Sequence, residues 1–206
     1  DYGYTRDEKD KKKIIKYGGK PILVLKDKNS KYGTATMVPK KGTDSYAIKS
    51  MNRDIDKLIG HRRFILRSDQ EPAIKDLKNS FKKIPKVDVM MEETPVGDSK
   101  SAGSIENYMK QVQGMIRNFI VHIETRLGAS IPEDHMIIPW IVKHAAATIN
   151  RFSVGDDGFT AHRRLRGRNF KKEITEIGES VWCLKPKSRG KAKLRSRWFS
   201  GIWLGI

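Results

Sequence analysis

Residues 64–72 read FILRSDQEP, a short apolar strand followed directly by the carboxylate of Asp69. Residues 94–106 read TPVGDSKSAGSIE, a run of turn formers and small residues that leads to Glu106. A carboxylate just past the end of a strand in an open α/β sheet is exposed to ligand. A loop built of Pro, Gly and small polar residues is expected to be mobile. These two stretches therefore predict a site that contains Asp69 and Glu106.

A long helix is predicted after this loop, with Glu106 at its start. Its apolar residues recur every three or four positions, which is the period of one helix face: Ile105, Met109, Val112, Ile116, Phe119, Ile123 and Leu127. At the edge of this stripe, Lys110, Gln113 and Arg117 follow Glu106 at helical spacing. A carboxylate followed by basic and amide side chains on one strip suits a metal site beside a phosphate backbone.

The chain before residue 64 predicts strands and one helix. Residues 1–4 (DYGY) have the pattern of a strand end, residues 21–25 (PILVL) that of a buried strand, and residues 31–38 alternate like its hairpin partner across a turn at 26–30. Asp44 or Ser45 can cap a helix that Gly60 ends. A helix over 72–84 and a strand over 87–91 follow the strand at 64–67. This order is expected of an α/β, ribonuclease-H-like fold, a mixed sheet flanked by helices.

The same order, ending in GDSKSAGSIE and a long helix, resembles the catalytic core of retroviral and retrotransposon integrases, and most closely those of copia-type elements. Asp69 and Glu106 are 106 − 69 = 37 positions apart, close to the interval seen in retroviral members. Residues 145–152 (AAATINRF), 158–168 (GFTAHRRLRGR) and 201–205 (GIWLG) resemble the segments that follow in the family. The resemblance covers nearly the whole chain and rests on the order and spacing of these matches together.

The resemblance implies a polynucleotidyl transferase for DNA end processing and strand transfer. In that family two aspartates and a glutamate hold divalent metal, which gives Asp69, Glu106 and one further aspartate here. Asp27 follows the strand at 21–25, but its position belongs to the hairpin turn in the family, whereas Asp1 lies on the pattern of the first strand. We favour Asp1, so the predicted catalytic residues and metal ligands are Asp1, Asp69 and Glu106. Two Mg²⁺ or Mn²⁺ ions would serve such a reaction.

Two features depart from the family pattern. Ala102 stands where the family usually places an amide side chain before the Gly, so a contact to DNA ends is expected to be missing. The His/Cys spacing of a zinc finger is not found in the sequence, which places that module of integrases upstream of residue 1 or leaves it out. A chain that opens with DYGY is expected to be a piece of a longer polyprotein.

Composition favours a polyanionic partner. The chain has 42 Lys and Arg against 24 Asp and Glu, a formal net charge of +18. Neutralising phosphates with such charges releases condensed counterions, and the resemblance to integrases implies that the polyanion is DNA, both element ends and target. The single cysteine, Cys183, fits a reducing compartment, and we expect the nucleus or a cytoplasmic particle, no membrane span, and a homo-oligomer when active.

The pattern changes after residue 168. Residues 176–184 (EIGESVWCL) predict a strand entering a small β module, and basic residues then occupy every second position from Lys185 to Arg197. We predict an integrase core over 1–168 and a basic β module over 172–206, and phosphate contacts by the four cations Lys187, Arg189, Lys191 and Lys193.

Two other functions compete with a strand-transferring integrase. A catalytically inactive or domesticated derivative would bind nucleic acid through its basic face without cutting it. A ribonuclease H or a cut-and-paste transposase would share the fold, but the entry GSIE to the long helix and the Ala-rich helix followed by Gly158-Phe159-Thr160 fit integrases better.

Overall fold

The structure is a computed structural model that describes residues 16–17, 19–60, 63–68, 71–84, 88–93, 99–184 and 196–205, with backbone alone at 16, 17, 57, 58 and 99–102. Within these ranges the first sheet is antiparallel, with its strands in sequence order: β1 (Lys16–Tyr17), β2 (Lys20–Lys26) and β3 (Gly33–Met37). A second pair of strands, β4 (Arg63–Ser68) and β5 (Asp88–Glu93), is parallel. The predicted hairpin and the predicted strand after residue 63 are confirmed.

Helix α1 (Ser45–Arg53) begins where the sequence predicts. The Asp44 carboxylate accepts hydrogen bonds from the backbone N–H groups of Tyr46 and Ala47, which the helix itself leaves without partners. The helix continues as a π-helical segment, Asp54–Ile59, and ends at Gly60 with a φ of 83°, a left-handed conformation that glycine adopts without a steric penalty.

Helix α2 (Pro72–Lys82) joins the parallel strands β4 and β5 and begins with a proline, whose missing N–H costs nothing at that position. The predicted order of strand, helix and strand over residues 64–91 is therefore confirmed. Parallel neighbours require a crossover of this kind. Because β4 and β5 run parallel, both end at the same edge of their sheet, where Ser68 lies opposite Glu93.

Helix α3 (Ser99–Leu127) begins earlier than predicted. The expected loop reached Gly103, and Glu106 was expected to open the helix; instead Glu106 lies seven residues inside it. The last proline before the helix is Pro95, and the Ser and Ala residues after it permit helix, so the helix extends back towards Ser99 through the unfavourable Gly103.

Two apolar clusters lie on opposite faces of β2 and β3. Ile22, Val24 and Ala35 pack with α3 and with α4 (Ile138–Phe152). Leu23 and Leu25, on the other face, pack with α1 and α2 and with Phe64 and Leu66 of β4. Helices therefore cover both faces of a mixed set of strands.

The predicted stripe on α3 is correct in its centre and wrong at its end. Val112, Ile116 and Ile123 are buried in the first cluster, where Tyr108 and Ile120 join them. Leu127, the last residue of the predicted stripe, is 63% exposed because the helix extends past the core there.

The C-terminal part contains α5 (Ala161–Arg166) and the antiparallel pair β6 (Ser180–Leu184) and β7 (Trp198–Ile202). Ile177, just before β6, is buried in the cluster formed by α3 and α4. The boundaries 1–168 and 172–206 stay predictions. Among the described residues, helices long and apolar enough to span a membrane are not found.

Candidate active site

The first turns of α3 are fixed to the end of β2. Lys26 Nζ donates a hydrogen bond of 3.1 Å to the carbonyl oxygen of Ser104 and lies 5.4 Å from the centroid of the Tyr108 ring. Tyr108 is almost fully buried, and this burial raises the pKa of its hydroxyl well above its usual value. Glu106 lies between these two anchoring residues, half-buried, so its backbone position is set by the core.

A buried clamp supports this anchor from the other side. Asn150, on the last turn of α4, accepts a 2.9 Å hydrogen bond from the N–H of Gly33 and donates one of 2.6 Å to its carbonyl. A Cβ at position 33 would overlap the Tyr108 ring, so only glycine fits there. The contacts of Asn150 with Gly33 and of Gly33 with Tyr108 therefore link α4, β3 and the helix that carries Glu106.

Sequence reasoning missed this clamp. The available signals were an asparagine at the end of an otherwise Ala-rich helix and a glycine where an alternating strand begins. Gly33 and Asn150 are 117 residues apart in the sequence. A glycine and an asparagine at that separation do not by themselves indicate a contact.

Of the three predicted metal ligands, Glu106 alone is described. Asp1 and Asp69 lie outside the described residues, although β4 ends at Ser68, immediately before Asp69. Within the described ranges, three or more His, Cys, Asp or Glu side chains never come together as a metal-binding group. The set Asp1, Asp69 and Glu106 therefore stays a prediction.

Asp27, the alternative ligand, lies in the turn between β2 and β3. Its Oδ2 accepts hydrogen bonds from the backbone N–H and the hydroxyl of Ser30, at 2.7 and 2.6 Å. Such a carboxylate stabilises a turn locally. The predicted place of Asp27 in the hairpin turn is confirmed.

The carboxylates at the end of β5 are paired with cations. Arg67 donates a 2.6 Å hydrogen bond to Glu92, which is the main cause of the lowered pKa of that carboxyl, and Lys28 and Lys78 lower it further. Lys75 lies 3.3 Å from Glu93. Glu92 therefore acts as an ordinary strand-edge charge.

The structure describes the first of the two predicted DNA-binding surfaces, on α3, but not the second. On α3, Lys110 and Arg117 are exposed and Gln113 is half-buried, and all three follow Glu106 along one strip. The cations Lys187, Arg189, Lys191 and Lys193 lie outside the described residues, between β6 and β7. DNA binding by either surface stays a prediction.

A charged turn precedes α5. The Asp157 carboxylate accepts hydrogen bonds from Arg164, with 2.8 Å to its Nε, and from the N–H of Phe159, and these bonds lower the pKa of Asp157 to about 2. Because the folded pKa lies below the ordinary value of 3.8, the contribution of this contact to stability is present above about pH 4 and is lost as the pH falls towards 2.

We predict that Arg164→Gln raises the pKa of Asp157 towards its ordinary value, because the largest cause of the shift is removed. Titration of the carboxyl carbon by nuclear magnetic resonance measures this pKa directly. Arg163→Gln serves as the control, since Arg163 stacks on Phe159 rather than bonding Asp157; an equal rise in both variants would mean that general charge, not this contact, sets the pKa.

Comparison with known proteins finds neither a family model nor a curated protein that matches the sequence. Solved structures do match. A chain from the simian T-cell lymphotropic virus intasome has a TM-score of 0.58 at 16% identity, over 92% of this chain and 64% of that one. The catalytic core of BIV integrase has a TM-score of 0.55 at 13% identity, over 75% and 91%. The HTLV-2 integrase core in complex with magnesium has a TM-score of 0.55 at 15% identity, over 74% and 90%.

This chain therefore has the fold of retroviral integrase catalytic cores, and the predicted ribonuclease-H-like fold class is confirmed. It spans 64% of the length of the intasome chain. Sequence identities this low support the fold alone, so the assignment to a copia-type element stays a prediction.

Proposed function

We propose that this chain is the catalytic core of a copia-type retrotransposon integrase, a metal-dependent polynucleotidyl transferase that processes DNA ends and joins them to target DNA. The observation that carries the proposal is the shared integrase-core fold together with Glu106, which Lys26 and Tyr108 hold in place on α3. In this reading the chain works in the nucleus or in a cytoplasmic particle.

Asp1, Asp69 and Glu106 would hold the metal. Three carboxylates are the hard oxygen ligands that Mg²⁺ and Mn²⁺ prefer, and the HTLV-2 core was solved with magnesium. Bound metal would activate the attacking oxygen and stabilise the leaving one. Lys110, Gln113 and Arg117 would hold the DNA end beside Glu106, and the cations from Lys187 to Lys193 would grip phosphates at a distance.

We also propose that the active form is a homo-oligomer, since HTLV-2 integrase cores were solved in dimeric and trimeric forms. The alternative, an inactive or domesticated nucleic-acid-binding derivative, is supported by Ala102, which replaces the amide side chain usual at this position.

Metal binding tests the proposal without requiring turnover. Clustered carboxylates repel one another and are stabilised by a divalent cation, so Mn²⁺ should raise the melting temperature of the chain. Asp69→Asn and Glu106→Gln should each reduce this rise. Asp88→Asn is the matched control, because Asp88 is an exposed carboxylate paired with Arg63 and should leave the rise unchanged. A rise that is equal in all four proteins would remove Asp69 and Glu106 from a metal site.

A further inference from the structure

Residues 161–172 (AHRRLRGRNFKK) form the most basic described part of the chain, with six Lys or Arg and neither Asp nor Glu. They comprise α5 and the segment after it, and they belong to neither of the two DNA-binding surfaces proposed above. A run of charges is often only a solvated helix face, so its meaning depends on how the side chains are held.

Aromatic contacts fix Phe170, His162 and Arg163 of this segment. The Phe170 ring is packed by Phe152 at 6.0 Å and by His162 at 5.4 Å between ring centroids, and the Arg151 guanidinium lies 4.5 Å from its centroid. The Arg163 guanidinium lies 4.0 Å over Phe159. A guanidinium stacked on a ring donates hydrogen bonds at its edges, and its restricted rotamers lower the entropy lost on binding a phosphate.

Several of the positive charges lie near His162, whose ring contacts Phe170 together with the Arg151 guanidinium. The pKa of His162 is lowered by burial first and then by the charges of Arg151, Arg166 and Arg168. Arg166, Arg168, Lys171 and Lys172 are exposed. Two carboxylates, Asp156 and Asp157, lie near Arg164, and Asp157 forms an ion pair with it.

A chain of contacts connects this segment to the anchor of Glu106. Arg151, which contacts the Phe170 ring, follows Asn150 in α4, and the Asn150 side chain bonds Gly33, the strand partner of Lys26. Lys26 itself bonds Ser104, two residues before Glu106. A polyanion lying across α5 would therefore extend towards the first turns of α3.

We propose that a surface formed by Arg163, Arg166, Arg168, Lys171 and Lys172, here called the α5 surface, binds the phosphate backbone of duplex DNA beside the site of Glu106. The proposal rests on the proposed function for the choice of DNA as ligand. Charge complementarity is its basis: stacked and exposed cations face a polyanion, and they position it without reading its sequence.

The test measures binding of a labelled duplex of arbitrary sequence by fluorescence anisotropy, in the presence of a chelator and over a range of salt concentrations. Each lost phosphate contact lowers the slope of log affinity against log salt by about 0.9, so Arg163→Gln/Arg166→Gln/Arg168→Gln should lower it by about 2.7. Arg168→Gln/Lys171→Gln changes only exposed side chains, which keeps folding intact, and should lower it by about 1.8.

The matched control is Lys49→Gln/Lys82→Gln/Lys83→Gln, which removes three exposed cations from α1 and from the end of α2. A slope that falls equally in the control and the triple variant, or stays unchanged in both α5 variants, overturns the proposal. Binding is measured without metal, so the test of the α5 surface does not depend on strand transfer. A chain that binds DNA through the α5 surface but never joins DNA ends would refute the proposed integrase activity and leave the α5 surface standing.

Discussion

Glu106→Gln should lower strand transfer by about a thousandfold or more while leaving DNA affinity and melting temperature in chelator nearly unchanged. The amide keeps the size of the side chain but loses its charge and one ligand oxygen, and the helix around it stays fixed by Lys26 and Tyr108. Joining of labelled duplex ends to a plasmid in Mn²⁺ measures the effect. Residual joining close to that of the unchanged chain would exclude Glu106 from the chemistry.

Asp27→Asn is the paired control and should spare most of the activity. The structure gives Asp27 a local task, to accept hydrogen bonds from Ser30, and the oxygen of an amide can still accept them. Asp1→Asn should abolish strand transfer. If Asp27→Asn abolished joining and Asp1→Asn spared it, Asp27 would be the third ligand.

Periodicity and caps were sufficient to predict most of the fold. The alternating and apolar runs gave β2, β3, β4 and β5, and Asp44 and Gly60 marked the ends of the first helix because each satisfies a local backbone requirement. The start of α3 was predicted wrongly because helix propagation from a long stable segment overrides the weak propensities of residues 99–103.

The candidate site was predicted only in part, for a physical reason. Glu106 could be located from its spacing to apolar neighbours, which is local information. The clamp that supports it depends on a contact between Gly33 and Asn150 and on the space that Gly33 leaves for Tyr108. Such contacts arise from packing three separate elements, and residue types alone do not indicate them.

Asn150→Ala should lower the free energy of unfolding by about 2–4 kcal/mol, because it leaves the buried N–H and C=O of Gly33 without their partners. Chemical denaturation measures the loss. Asn118→Ala is the matched control, since Asn118 is exposed on α3 and its truncation should change stability by less than about 0.5 kcal/mol.

The clamp should also matter for activity at temperatures where the variant remains folded. Gly33 presses directly against Tyr108, and Tyr108 is two residues from Glu106, so a β3 end released from Asn150 no longer fixes the backbone of that carboxylate. A displacement of about 1 Å at a reacting group can cost on the order of a hundredfold in rate. We therefore expect Asn150→Ala to reduce strand transfer but not metal-free DNA binding, which depends on exposed cations. Equal losses of strand transfer and of metal-free DNA binding would instead mean that Asn150 supports the fold as a whole.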